Sequence, residues 1–315
     1  MSLSINYLAV NKPTQTYQVK RQGQLASQNL PVNYSTQLAS EISFAQRAAI
    51  MPAISFGSLK SRILENKLNE LMQKYSQGEK PLILNIKNGF IAQIAKKITT
   101  KNKPLIVGIT GQSASGKSTL IDKIEETLNS QQPKNQPVFN IIRGDDYYKD
   151  TSELRKKLGG FGGIINSGYS FDFPDSANLK TLIKDLKKLS NGHEVTGPKY
   201  DFLTSKSTPN AQIIKPAKVM LLDSIFALQP EVKDSLDVGI YVDCSADVIK
   251  KRWFDRAASR GLVGDDATKL FNDTTQKAQD YVIPSSKAAN ITLNGEASLD
   301  KTKEFVQDLY KLLNN

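Results

Sequence analysis

Residues 105–119, Leu-Ile-Val-Gly-Ile-Thr-Gly-Gln-Ser-Ala-Ser-Gly-Lys-Ser-Thr, constrain the fold more than any other stretch, because an apolar run passes directly into Gly111-x-x-x-x-Gly116-Lys117-Ser118. A strand, a glycine-rich turn and a helix are expected in that order. Residues 105–109 read as a strand covered on both faces of a parallel sheet, and residues 118–128 have helical spacing. The glycines of such a turn let successive backbone N–H groups point at one anion, the lysine reaches β- and γ-phosphates, and the serine hydroxyl offers a ligand to Mg²⁺. The positive end of the helix faces the same anion. Gly111, Gln112, Ser113, Ala114, Ser115, Gly116, Lys117, Ser118 and Thr119 are therefore read as a cradle for a nucleoside triphosphate.

Composition removes several alternatives. The one cysteine, Cys244, excludes an internal disulfide, and the one histidine, His193, leaves no zinc site, so the expected metal is oxygen-ligated Mg²⁺. No apolar run approaches the roughly 20 residues that cross a bilayer, and the amino-terminal stretch has no apolar signal core. A cytoplasmic location without a membrane partner is expected. The net charge of +11 raises nucleic acid as a partner. Yet the lysine clusters at 96–97, 101–103, 184–188 and 250–252 read as helix faces or ends and lack interleaved aromatics, so solvated faces explain them better.

Along the chain, residues 1–57 are rich in Gln, Ser, Asn and Thr, have no acid before Glu41, and read as a disordered extension, with an organelle transit peptide as the alternative. Residues 58–102 read as a helical segment, with helices at 58–75 and 90–98. Residues 103–315 alternate apolar runs (105–109, 138–142, 219–222, 238–242, 291–293) with helical patterns (118–128, 177–189, 246–258, 268–281, 299–313). That alternation predicts a three-layer α/β/α P-loop fold on a mostly parallel five-stranded sheet, with ligands at the carboxyl ends of the strands. Two long irregular loops, 149–168 and 191–212, are expected to carry an acceptor pocket or a lid.

Acids stand where strands should end: Asp145 and Asp146 after 138–142, and Asp223 after 219–222. A P-loop enzyme needs one carboxylate to order Mg²⁺, and a kinase needs another to accept the proton of the attacking hydroxyl. Asp223 suits the first task and Asp145 the second, although Asp at either place also serves as a helix N-cap.

Over residues 103–295 the chain resembles the uridine kinase and phosphoribulokinase family of P-loop small-molecule kinases. The likeness rests on Gly111 to Thr119, on Asp145-Asp-Tyr-Tyr148, on Ser170-Phe-Asp-Phe-Pro-Asp-Ser176 and on Pro198-Lys-Tyr-Asp-Phe202, in the family's order. The resemblance implies ATP as phosphoryl donor and Asp145 as catalytic base. It also implies an acceptor site of Tyr148, Phe171, Asp172 and Tyr200, in which an aromatic platform carries the acceptor and Asp172 binds sugar hydroxyls. It further implies a lid after residues 238–242, where Arg252, Arg256 and Arg260 recur at four-residue steps on one helix face and clamp the phosphates.

Three departures bear on the substrate. Residues 203–207 read Leu-Thr-Ser-Lys-Ser, without the histidine that contacts the pyrimidine in uridine kinases; Asp223-Ser224 replaces a Glu-Gly pair; and Trp253 and Leu262 stand where lid arginines are usual. The expected activity is an ATP- and Mg²⁺-dependent transfer of phosphoryl to a hydroxyl of a nucleoside-like molecule. The alternatives are another small alcohol (ribulose 5-phosphate, pantothenate or glycerate) and a nucleotide-binding protein that has lost catalysis. No guanine-specific Asn-Lys-x-Asp motif supports a GTPase. A homo-oligomer is compatible with the sequence.

Overall fold

The computed structural model describes residues 56–100, 102–129 and 138–314, so the extension expected over residues 1–57 lies almost wholly outside it. In chain order the elements are α1 (Phe56–Tyr75), β1 (Ile83–Ile86), α2 (Phe90–Thr100), β2 (Leu105–Thr110), α3 (Lys117–Asn129), β3 (Phe139–Arg143), α4 (Ser152–Lys157), α5 (Phe161–Asn166), α6 (Leu179–Ser190), β4 (Val195–Asp201), β5 (Lys206–Ile214), β6 (Val219–Asp223), β7 (Val238–Asp243), α7 (Ala246–Ser259), α8 (Gly264–Lys277), β8 (Ile291–Asn294) and α9 (Leu299–Asn314). No helix among the described residues is long and apolar enough to cross a membrane.

The main sheet runs β1-β8-β7-β2-β6-β3. The five strands expected from the sequence are all parallel, with β2 central between β6 and β7. The sheet nevertheless has six strands. Residues 83–86, which follow Pro81 and were not expected to be a strand, add an antiparallel edge by pairing Ile83 with Leu293 and Ile86 with Ile291. Their apolar run is only as long as a buried turn of helix, so periodicity does not mark it.

Alternate residues of the central strands feed two cores, one on each face of the sheet. Ile109 joins Leu68, Met72, Phe90, Ile94 and Ile121, supplied by α1, α2 and α3, together with Val306 of α9. Ile106 joins Ile142, Met220 and Leu222 on the other face, where α6 buries Leu182, Leu186 and Leu189 at helical spacing. Each buried leucine contributes about 1.5–3 kcal/mol, enough for α6 to hold its station despite lysines on its outer side. At the sheet edge, Tyr75 packs edge-on against Phe305 at 5.1 Å and donates its hydroxyl to Asp308 at 2.9 Å.

Both expected irregular loops contain regular structure. Residues 149–168 hold the short helices α4 and α5, and residues 191–212 form most of a two-stranded antiparallel hairpin, β4–β5. The hairpin was hidden because only a few of its residues face inward: Val195, Tyr200 and Ile214 are buried while most of β5 is exposed. Its turn closes through Asp201, which accepts the Leu203 N–H at 2.9 Å and the Thr204 hydroxyl at 2.7 Å.

Candidate active site

The carboxyl ends of β2, β3 and β6 bring Lys117, Ser118, Asp145 and Asp223 to one cleft of about 580 Å³. Between β2 and α3 the loop winds with positive φ at Gly111 (150°), Ala114 (67°) and Gly116 (104°). Lys117 is buried, and its Nζ donates to the carbonyls of Gly111 (2.7 Å) and Gln112 (2.9 Å). Burial lowers the Lys117 ammonium below its ordinary value, against the pull of Asp223 and then Asp145. The Ser115 hydroxyl is buried without a hydrogen-bond partner inside this cradle. Ser118 and Thr119 open the helix and line the cleft.

Asp145 and Asp146 follow β3 on a single 3₁₀ turn, and only Asp145 reaches the cleft of the phosphate loop. Gly144 allows this turn to lie against the end of β6: a Cβ there would sit 2.4 Å from the Ser224 Cβ. Asp146 is buried and engaged by the hairpin, accepting from Gln212 Nε2 at 2.8 Å, Lys199 Nζ at 3.3 Å and the Tyr200 N–H at 3.3 Å. Asp145 opens to the cleft instead. Solvent reaches it there, but the enclosing walls leave little water around it, and this desolvation pushes its carboxyl up to about 6; Asp223 adds to the rise and Lys117 opposes it. Asp223 is likewise raised, chiefly by burial.

A second cavity of about 460 Å³ lies under the hairpin, lined by Arg143, Lys199, Tyr200, Phe202 and Leu203. Ser118, Asp145 and Asp223 line both cavities. The acceptor residues inferred from the resemblance divide between them: Tyr148 and Asp172 line the first, Tyr200 the second, and Phe171 lines neither. Their rings are nonetheless contiguous. Tyr148 meets Phe171 at 5.8 Å and Tyr200 at 5.5 Å, both edge-on, while Phe161 of α5 stacks on Phe171 at 6.1 Å. Burial raises the Asp172 carboxyl to about 6, partly offset by a hydrogen bond from Thr274.

On α7, Arg256 Nη2 donates to the Ser113 hydroxyl at 2.7 Å, and Arg252 Nη1 donates to the Gly295 carbonyl at 3.0 Å and the Ser115 carbonyl at 3.5 Å, so both reach over the loop. Arg260 caps the helix, is exposed, and lines neither cavity. Trp253, at a place where arginine is usual in the family, is buried with Ala257 and Ala267, and Ala114 of the cradle packs against that cluster.

Several contributors escaped sequence reasoning. The β8–α9 connection closes one wall of the first cavity with Asn294, Gly295 and Ala297, and Leu82 joins it from before β1. Asn294-Gly295 after an apolar run is the signal that marks this turn. Arg155 of α4 donates to the Ser205 hydroxyl at 3.1 Å and lies 5.7 Å over the Phe161 ring, tying α4 to the hairpin; nothing in the local sequence sets it apart from its lysine neighbours. His193 is exposed beside the lysines of α6, lining neither cavity. Among the described residues no cluster of three or more His, Cys, Asp or Glu side chains could hold a metal.

The sheet order and the loop after its central strand define a P-loop α/β protein. Residues 106–299 match the Phosphoribulokinase / Uridine kinase family, and the chain belongs to that family. It is 30% identical over 194 residues to a uridine kinase of Clostridium tetani, covering 61% of this chain and 87% of the relative. It is 29% identical to uridine kinase-like protein 5 of Arabidopsis thaliana, again over 61% of this chain but only 39% of that longer protein. A solved structure, that of a possible uridine kinase from Bacillus stearothermophilus, aligns at a TM-score of 0.42 with 16% identity, over 73% of this chain and 98% of that one.

Proposed function

We propose that this protein is a kinase that transfers the γ-phosphoryl group of ATP to a hydroxyl of a nucleoside-like small molecule. The observation that carries this reading is that Ser118, Asp145 and Asp223 line both cavities, so that a carboxylate of raised pKa stands beside the phosphate loop, Tyr148 and Asp172 in the first and beside Tyr200 in the second. A general base is most effective when its pKa approaches the working pH, and it must stand where the acceptor hydroxyl meets the donor phosphate. The family, and the uridine kinase names its members carry, support the same chemistry.

Asp145 then takes or orients the acceptor proton. The backbone from Gly111 to Thr119 holds the triphosphate, and Lys117 leaves the carbonyls of Gly111 and Gln112 to meet the phosphates. Arg252 and Arg256 stabilise the charge on the transferring group, with Arg260 following on the same helix face. Tyr148, Phe171, Asp172 and Tyr200 hold the acceptor. The donor set of Ser118 hydroxyl and Asp223 carboxylate is hard oxygen only and suits Mg²⁺, which relies on few protein ligands beside phosphate and water; Mg²⁺ would neutralise developing charge on the phosphates. A cytoplasmic location and the absence of a nucleic-acid partner belong to the same reading.

Arg143 and Lys199 in the second cavity support a second reading, in which the acceptor carries an anionic group such as a sugar phosphate. Release of ADP from ATP and Mg²⁺ across uridine, cytidine, ribulose 5-phosphate, pantothenate and glycerate tests both, and we expect the nucleosides to drive turnover. Asp145→Asn should lower kcat on the order of 10² to 10⁴-fold with ATP affinity retained. Turnover by none of these acceptors sinks the kinase reading, and normal kcat in Asp145→Asn removes Asp145 as base.

A further inference from the structure

The carboxylate of Asp172 is held from a helix that none of the recognisable motifs includes. Its Oδ2 accepts the hydroxyl of Thr274, on α8, at 3.0 Å. The adjacent Asp273 accepts the Ser170 hydroxyl at 2.5 Å, and Ser170 Oγ in turn accepts the Asp172 N–H at 3.3 Å. One turn earlier Lys269 Nζ donates to Asn166 Oδ1 at 3.0 Å. The end of α5 and the loop that follows it, residues 167–176, the acceptor loop, are thus tied to α8 at three points. The two hydroxyls sit in protein rather than solvent: Thr274 is 7% exposed and Ser170 8%.

A threonine hydroxyl buried on a helix whose inner face is otherwise apolar needs a partner, and here the partner is the carboxylate that faces the cleft. With Oδ2 engaged by Thr274, the side-chain torsion is set and Oδ1 is left for the ligand. A hydroxyl donor also favours the ionised carboxylate, which burial disfavours, so the bond keeps Asp172 able to accept from sugar hydroxyls. Asp273, Lys117 and Arg256 are charged groups that also act on it, and Asp145 repels it across the cleft.

We propose that Thr274 and Asp273 are positioning residues that orient Asp172 for the acceptor and fix the acceptor loop to the lid. This rests on the kinase reading for its substrate, but not for its geometry. The lid is a helix pair: α7 carries Arg252 and Arg256, and α8 packs against it through Trp253, Ala257, Ala267 and Phe271, with Ala114 of the phosphate loop in the same cluster. One rigid pair of helices therefore steadies both halves of the site.

The test compares Thr274→Val, which keeps the shape and removes the hydroxyl, with Thr274→Ser, which keeps the hydroxyl. With uridine, ATP and Mg²⁺, Thr274→Val should raise the KM for uridine about tenfold, the factor expected for one hydrogen bond to a charged group, and leave kcat and the KM for ATP within about twofold. Thr274→Ser should restore the parent value, and Asp273→Ala should give a smaller, equally acceptor-specific rise. An unchanged uridine KM, a matching loss at ATP, or a serine variant as impaired as the valine variant overturns the proposal. If no acceptor is turned over by the parent chain, the kinase reading falls and deuterium exchange of the full chain decides the positioning role. Residues 166–176 should then exchange faster in Thr274→Val while residues 111–119 do not change, and unaltered exchange at 166–176 overturns it.

Discussion

The two halves of the site are built in opposite ways. The phosphate end is a single contiguous loop between β2 and α3, whose polar contacts largely return to its own carbonyls or to α7. The acceptor end is assembled from four separated segments: the turn after β3, the loop after α5, the β4–β5 hairpin and α8. A local loop can be specified by adjacent glycines and one lysine. A composite pocket depends on every element that delivers a wall, and it changes whenever one of them is lengthened or re-capped. This difference accounts for a phosphate end that matches the family motif closely beside an acceptor end that departs from it at residues 203–207.

Changes confined to one half should therefore leave the other intact. Among changes confined to one half, the largest effect is expected from Lys117→Ala, which should lower kcat on the order of 10² to 10³-fold, the usual loss for one donor aimed at transition-state charge. Uridine binding without nucleotide, measured by calorimetry, should stay as in the parent; a parallel loss of uridine binding would break the division. Next is Gly295→Ala. Its Cβ would stand 2.0 Å from the Ser115 carbonyl oxygen and 3.1 Å from that of Asp243, backbone atoms that cannot rotate away. A destabilisation of about 1–3 kcal/mol and an ATP KM raised roughly tenfold are expected, with the acceptor KM unchanged. Phe171→Ala should do the converse. Losing edge contacts with Tyr148 and Tyr169 and the stack on Phe161 should raise the acceptor KM roughly three- to tenfold without touching ATP.

The smallest effect, and one that joins the two halves, is on pH. Burial pushes both Asp145 and Asp172 up to about 6, so kcat/KM should fall to about a quarter near pH 6 and continue to fall below it, as the base and the hydroxyl acceptor take up protons. Stability responds with the opposite sign. Between about 6 and the ordinary carboxyl value of 3.8 the folded chain binds a proton at Asp145 that the unfolded chain does not. The ionised carboxylate thus destabilises the fold above pH 6, and that penalty is relieved as the pH falls through the window. Asp145→Asn should therefore melt at a higher temperature than the parent at pH 7.5 while losing turnover. A lower melting temperature would show that Asp145 serves the fold instead.

Residues 105–119 were legible because each level agrees there: apolar β-branched strand, glycine turn and helix start lie in register within fifteen residues. The five parallel strands were legible for the same reason, as short apolar runs between helical patterns. Strand β1 was not, since four residues pair only with β8 and carry no period of their own. The hairpin was not legible because the face it presents to Tyr147 and Asp146 is narrow, and because nothing local tells that Asp146, rather than its neighbour Asp145, is the acid that holds it. Sequence spacing places Arg252, Arg256 and Arg260 on one face but not at one depth, and only the first two reach the loop.

By itself the sequence determined the class of sheet, the position of the phosphate loop, the lysine within it and the acids at the strand ends, because these follow from local periodicity and from backbone geometry that glycine alone permits. Only the tertiary structure decided that Asp145 reaches the first cavity while Asp146 holds the hairpin, that Gly295 and Leu82 wall the first cavity, and that Thr274 holds Asp172. Those outcomes depend on contacts between residues up to about two hundred positions apart, where close packing selects which of several similar polar side chains meet. No local pattern encodes that choice.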